Sequence, residues 1–277
     1  MKKTTYIIIG VLVTLLLMAV GIICYIASLG TRWEDTFYKV GGELKTIVLP
    51  EAKWIHLTKS EPKNAVDWEG REVLARDLSF RRAPLTVTET VGGQAILTQP
   101  SGLERFLSVQ PEGDTLRLFF SFPKEPLEGE YENMRLLKLE AEGVTLAIPQ
   151  TIERVDVDVY GMETTFRGLQ RESFAFFVRD KVKVESSQFT NLYPASSSGL
   201  SLVSGSCKEL HLNVDVTRSW MVDVQHFSID TEYLSGAGTS YNTLRKGECR
   251  RVVWQPKSKD AELIVTLETA AEINVAE

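Results

Sequence analysis

KVKVESSQFTNLYPASSSGLSLVSGSCKELHLNVDVTRSWMVDVQHFSIDTEY, residues 181 to 233, is the stretch that decides the fold. Its apolar and polar residues alternate in short runs, the period of a strand whose side chains point to opposite faces in turn. Turn residues interrupt the runs every few positions. Paired inward residues recur at Val182/Val184, Leu200/Leu202 and Val222/Val224, and a second series runs through Leu192, Leu212 and Ile229. The interval is about 20 residues, the size of one coil in architectures that stack repeated short strands. It predicts an all-β fold, an irregular single-stranded β-solenoid in which each coil buries its apolar face against the previous one. The interval is uneven and has no strict consensus, so a twisted β-sandwich of hairpins is the alternative.

The same alternation extends through the chain outside its first 40 residues. It is clear in LKTIVL at 44–49, KWIHLTK at 53–59, PLTVTET at 84–90, TLRLFFSF at 115–122, MRLLKLEAE at 134–142, ERVDVDV at 153–159 and AELIVTL at 261–267. Asn64 to Arg82 is the one segment read as able to hold a short helix, and its glycine and missing apolar stripe weigh against that. Residues 41–150 have longer strands and more turn residues than 151–277, which carry the repeat. A soft boundary falls near 149–152, with the first part supplying early coils or a capping sheet, since an open solenoid end must be covered.

Two groups of polar residues invite a catalytic reading. In VDVDV, Val155, Val157 and Val159 share one strand face, so Asp156 and Asp158 share the other and point to water. A carboxylate pair could serve as acid and base in glycoside hydrolysis, but alternating acids on an exposed strand more often solubilise it. In WMVDVQHFSID, inward parity is even through Trp220, Val222 and Val224 and odd at Phe227 and Ile229. The chain must turn or bulge at Gln225 and His226, which puts Asp223 and Asp230 on separate segments with nothing to make them converge on His226. No catalytic, cofactor-binding or metal-binding residue is assigned. The histidines, His56, His211 and His226, are scattered, and no Cys-x-x-Cys pair occurs. Trp33, Trp54, Trp68, Trp220 and Trp254 sit mostly in strand contexts that favour packing over sugar stacking.

Tyr6 to Leu29 has no charged residue and, as a helix, would be roughly 36 Å long, enough to span a bilayer. A signal peptide cleaved after Gly30 is the competing reading, although its apolar core would usually be about 7–15 residues. Lipid attachment at Cys24 is disfavoured by the bulky Ile23 before it. Lys2 and Lys3 precede the span, which predicts a short cytoplasmic segment at 1–5, a transmembrane helix at 6–29, a linker at 30–40 and everything beyond outside the cytoplasm. The 31 bases less Lys2 and Lys3 leave 29 against 37 acids, a net charge of −8. Such a field does not draw the domain to nucleic acid or anionic lipid, and Arg81-Arg82 and the group Arg245, Lys246, Arg250 and Arg251 read as solvated surface. With only Cys207 and Cys249 beyond the span, the domain is no disulfide framework. At about 21 residues per coil those two lie two coils apart and are predicted unbonded.

The anchor, then GELKTIVLPEAKWIHLTK, SVQPEGDTLRLFFSFP and VTLAIPQTIERVDVDVYG leading into irregular repeats, resembles the adhesin-head or GIN-type domains of bacterial envelope proteins. The resemblance covers most of residues 40 to 270 and implies a β-solenoid without catalytic residues to carry over. The expectation is a non-enzymatic binding or scaffold module at the bacterial cytoplasmic membrane, touching the bilayer through residues 6–29, an envelope protein or glycan through its strands, and no nucleic acid or cofactor. A carbohydrate-active enzyme and the outer part of a membrane signalling complex are the alternatives.

Overall fold

The computed structural model describes residues 3–29, 37–60, 64–66, 72–74, 76–123, 125–131, 134–217, 219–244, 249–268 and 272–275. The chain divides into two units, Met1–Phe37 and Tyr38–Glu277. The first holds one helix, Lys3–Leu29. Its side chains are described from 11 to 25, and all fifteen are exposed; Leu16 and Leu17 are each 66% accessible. Among the described residues no helix is long and apolar enough to cross a membrane.

The second unit is built of strands. A ten-stranded sheet runs, edge to edge, through Glu272–Val275, Cys249–Pro256, Phe227–Gly236, Gly205–Asn213, Ser187–Ser196, Gln170–Val178, Arg154–Asp158, Trp54–Lys59, Thr115–Phe120 and Leu107–Glu112. Every neighbouring pair is parallel except the last. An eight-stranded sheet holds Leu44–Val48, Ile96–Pro100, Val144–Ile148, Leu85–Glu89, Thr164–Arg167, Lys181–Glu185, Gly199–Leu202 and Trp220–Val222. From residue 154 to residue 236 the chain alternates between the two sheets; beyond it, Thr239–Leu244 and Glu262–Leu267 pair with each other in a separate two-stranded sheet, and each return to the long sheet pairs in parallel with the strand laid down one circuit earlier. Phe174, Leu192, Leu210, Glu232, Val252 and Ile273 are successive partners, so the circuits take 18, 18, 22, 20 and 21 residues.

Between the sheets lies a continuous apolar core. Its centre is aromatic: Phe166 stacks on Phe176 with centroids 4.4 Å apart, and Phe174 lies nearly parallel to Phe189 at 6.1 Å. Alternation is the cause, since strands such as Thr115–Phe120 bury Leu116, Leu118 and Phe120 and turn Thr115, Arg117 and Phe119 outward.

Several sequence expectations need correction. The described parts of the Asn64 to Arg82 segment are strands, Asn64–Val66 paired antiparallel with Glu72–Leu74, then Asp77–Arg82; Trp68, like Trp33, lies outside the described residues, as do Arg245 and Lys246. Leu192, Leu212 and Ile229 are all buried but occupy three different columns, pairing with Leu210, Leu234 and Cys207 respectively. In the other series Val222 pairs with Leu202, and Leu200 with Trp220. Trp54 is 48% exposed on the outer face of the long sheet, whereas Trp254 is buried.

The early strands interleave with the later ones. Trp54–Lys59 lies between Thr115–Phe120 and Arg154–Asp158, and Leu85–Glu89 between Val144–Ile148 and Thr164–Arg167. A division at 149–152 would therefore run between strands that share the neighbours Trp54–Lys59 and Leu85–Glu89.

Register also fixes the cysteines. Cys207 pairs with Ile229 and Ile229 with Cys249, so two strand spacings, about 9.6 Å, separate them, beyond the roughly 7 Å limit for a disulfide. Burial, followed by the charges of Glu232 and Asp230, pushes the Cys207 thiol up to about 12, which keeps it protonated and unreactive at neutral pH. Maleimide labelling of the native, unreduced chain should spare Cys207 and Cys249, and denaturation without reductant should expose both as free thiols. A 207–249 cross-linked peptide in the mass spectrum would refute the register.

Candidate functional site

Parallel stacking places residues from distant parts of the sequence in straight columns across the outer face of the ten-stranded sheet. One column runs Trp54, Arg154, Ala175, Tyr193 through successive cross-strand pairs and continues through His211 to Tyr233. The last three residues form a stack of rings: Tyr193 and His211 have centroids 4.4 Å apart with planes 13° from parallel, and His211 and Tyr233 are 4.6 Å apart at 5°. These distances match the spacing of adjacent strands, about 4.8 Å, so the backbone itself sets the rings at stacking distance. Nε2 of His211 lies 3.3 Å from Oε2 of Glu209 on the same strand. Tyr193 is 43% exposed at the end of the row.

Sequence reasoning did not single out this row and counted His211 only among scattered histidines. A signal was present: positions 193, 211 and 233 are separated by 18 and 22 residues, the same intervals that separate Leu192, Leu210 and Glu232 in the core.

Asp156 and Asp158 do share the outer face, and each carboxylate is engaged. Nε of Arg154 donates to both Asp156 oxygens at 2.9 Å, and the backbone N–H of Phe177 donates to Oδ1 at 3.1 Å. Asp158 accepts from Nε of Arg179, just past the end of the adjacent strand Gln170–Val178. Each acid thus stands in a cross-strand or same-strand ion pair.

At the corner after Trp220–Val222 the structure brings together two of the three residues Asp223, His226 and Asp230. Asp223 accepts from Nδ1 of His226 at 2.9 Å and from the backbone N–H of Gln225 at 3.1 Å, while its carbonyl accepts from the N–H groups of His226 and Phe227. The expectation that nothing makes these residues converge is therefore corrected for this pair, because an Asx-type turn folds the imidazole back onto the carboxylate. The His226 hydrogen bond, then that of Gln225, lowers the Asp223 pKa below its ordinary value. Asp230 lies on the following strand beyond Ile229, exposed, and joins a different feature. That feature is a groove of 470 Å³ whose walls include Gln170, Gln188, Ser206 and Ser228, stacked on four successive strands, with Lys208 and Asp230 beside them.

Arg171 closes one end of this groove and is 3% exposed at its side chain. Its Nη1 is 3.6 Å from Oε1 of Glu89, and its Nη2 donates to the Ile148 carbonyl at 3.2 Å. Burial lowers its pKa, partly offset by the Glu89 charge. Among the described residues no group of three or more His, Cys, Asp or Glu side chains is placed to hold a metal ion.

No family model matches this chain, and no curated protein matches it. Solved structures do. A "putative adhesin" from Bacteroides fragilis is 10% identical, with 86% of this chain and 100% of that one covered and a TM-score of 0.41. A "putative adhesin" from Parabacteroides distasonis is 9% identical over 87% and 100%, with a TM-score of 0.36. A "putative lipid binding protein" from the same organism is 12% identical over 87% and 99%, at 0.35. Superpositions this loose leave fold and role to the chain's own geometry.

Proposed function

We propose that this chain is an irregular β-solenoid tethered to the bacterial cytoplasmic membrane by its N-terminal helix, with the β unit outside the cytoplasm acting as a non-enzymatic binding module for envelope material. The observation that carries the binding role is the outer face of the ten-stranded sheet, which bears an ordered row of rings, Tyr193, His211 and Tyr233. The acids that could have served catalysis, Asp156 and Asp158, are held in ion pairs on that face. In-register parallel pairing over successive circuits supports the solenoid over a sandwich of hairpins, whose neighbouring strands would be antiparallel.

Support for the tether is the helix Lys3–Leu29, whose described side chains from Val11 to Tyr25 are exposed and, apart from Thr14, apolar or small on every face. A helix that is apolar all round needs an apolar surrounding. Lys2 and Lys3 set the orientation.

The test is protease added to spheroplasts that express the full chain. The β unit should be digested while cytoplasmic controls survive, and the intact chain should fractionate with membranes. Protection from protease, or a soluble product beginning near Thr31, would overturn the tethered topology.

A further inference from the structure

The ring row on the outer face ends at Tyr193 for a reason that can be read from the pairing. His211 covers one face of the Tyr193 ring at 4.4 Å. The opposite face looks toward the next strand, where the partner of Tyr193 is Ala175, whose side chain is a single methyl. One strand further the column holds Arg154, and after it Trp54, 48% exposed. Two strand spacings, about 9.6 Å, separate the Tyr193 and Arg154 rungs. Between them lies a slot with an aromatic wall, a methyl floor and a guanidinium on the far side.

We infer that this slot binds one pyranose ring of a glycan, stacked on the free face of Tyr193 above Ala175, at the position a fourth ring of the row would take. This rests on the binding-module reading and names its ligand class. The chemistry of the slot is that of sugar recognition. A pyranose presents C–H groups on one face, which suit an aromatic ring, and hydroxyls around its edge, which need donors and acceptors side by side. Arg154 and Asp156 supply both. Nε of Arg154 is occupied by the Asp156 carboxylate at 2.9 Å, which holds the guanidinium so that its Nη groups can donate to hydroxyl oxygens. Oδ1 of Asp156 already takes Nε of Arg154 and the Phe177 N–H, while Oδ2, with Nε alone, keeps a lone pair to accept from a hydroxyl hydrogen. Trp54, next in the column after Arg154, offers a second stacking surface for the following sugar.

Other flat ligands fit less well. A nucleobase would stack equally on Tyr193, but it would bring phosphate toward a unit of net charge −8 after Lys2 and Lys3 are set aside. An aromatic peptide side chain would stack on Tyr193 but bring no hydroxyls to the Arg154 Nη groups and Asp156 Oδ2.

The experiment uses the full chain in detergent, titrated with a panel of cello-, chito- and manno-oligosaccharides, with AMP and N-acetyltyrosinamide as competing flat ligands. At least one oligosaccharide should bind. Tyr193→Ala should weaken that binding at least tenfold. Ala175→Tyr should fill the slot, extend the ring row and also weaken binding at least tenfold while the melting temperature is kept or raised, which separates a blocked site from a damaged fold. Gln255→Ala, on a distant rung of the same sheet, should bind as the wild type does. Binding of no oligosaccharide, undiminished binding by Ala175→Tyr, or tighter binding of AMP or N-acetyltyrosinamide would each overturn the inference. Failure here with protease-accessible topology in spheroplasts leaves the tethered module standing, and sugar binding by a protease-protected chain does the reverse.

Discussion

Gly205→Ala is expected to cost the fold about 3 kcal/mol or more, because strain and overlap act together. Gly205 opens the strand Gly205–Asn213 at a φ of +129°, a region L-residues rarely adopt. It lies against Ser187 of the previous circuit, with which it pairs. An added Cβ would overlap the Ser187 carbonyl oxygen and stand 2.8 Å from its nitrogen and 2.9 Å from its carbonyl carbon. Neither strand can yield, since the Gly205 N–H donates to the His226 carbonyl at 2.9 Å and Ser187 is fully buried. Gly113 is the control: it too has positive φ, +60°, but a Cβ there meets nothing within 4 Å. Gly113→Ala should cost only the left-handed penalty, about 1–2 kcal/mol. In thermal melts at 2–4 °C per kcal/mol, Gly205→Ala should fall roughly 6–12 °C and Gly113→Ala clearly less. Equal losses at the two positions would show that the strands are not stacked as closely as Gly205 requires.

The close stacking that excludes a methyl at 205 also explains which strands were legible in the sequence. Runs that alternate without interruption, such as LRL in Thr115–Phe120 or VDV in Arg154–Asp158, are strands in the structure with the expected faces. Gln170–Val178 and Ser187–Ser196 are longer than either and escaped notice. Each contains two consecutive outward residues, Glu172 and Ser173 in one and Thr190 and Asn191 in the other. Pairing skips 172 opposite 190, and 190 opposite 208, so an extra residue sits at the same place in each circuit. The inward parity flips there while the register with the neighbouring strand is kept, which erases a period of two. Parity did expose the corner at Gln225 and His226, because there it changes between strands rather than inside one.

The interval near 20 was legible because core columns repeat it. The partner of Leu192 is Leu210 rather than Leu212, a distinction the interval does not carry because both leucines face inward on one strand and differ by one pleat. Interleaving of Trp54–Lys59 between strands that follow it by about a hundred and by sixty residues left no local trace: pairing of that range depends on which edge is open when the chain returns. The ring row was hidden for a related reason. Tyr193, His211 and Tyr233 are unremarkable along the chain and meet only after three circuits have stacked.

Glu89→Ala should be among the most destabilising single changes, about 3–5 kcal/mol, because it leaves a buried guanidinium without its counter-charge. Glu89 ends the strand Leu85–Glu89, laid down early in the chain, and its second oxygen accepts from the Gln170 N–H at 2.9 Å. Arg171, 3% exposed against 22% for Glu89, faces it at 3.6 Å and also donates to the Ile148 carbonyl at 3.2 Å. The pair therefore ties the interleaved strands Leu85–Glu89 and Val144–Ile148 to the first residues of the long strand Gln170–Val178. The two partners are not equivalent. Without Arg171, Glu89 keeps the Gln170 N–H and can reach water, so Arg171→Met should cost only about 1–3 kcal/mol, the methionine filling most of the volume. Without Glu89, Arg171 has nowhere to solvate its charge. Arg171→Met introduced into the Glu89→Ala chain should accordingly restore part of the lost stability rather than add to the loss. A double-mutant cycle in urea, with the slope of the transition checked for constancy, reads this directly. Additive losses would mean that the ion pair does not couple the two groups of strands, and a Glu89→Ala cost within about 0.5 kcal/mol would mean that the Arg171 charge is satisfied elsewhere.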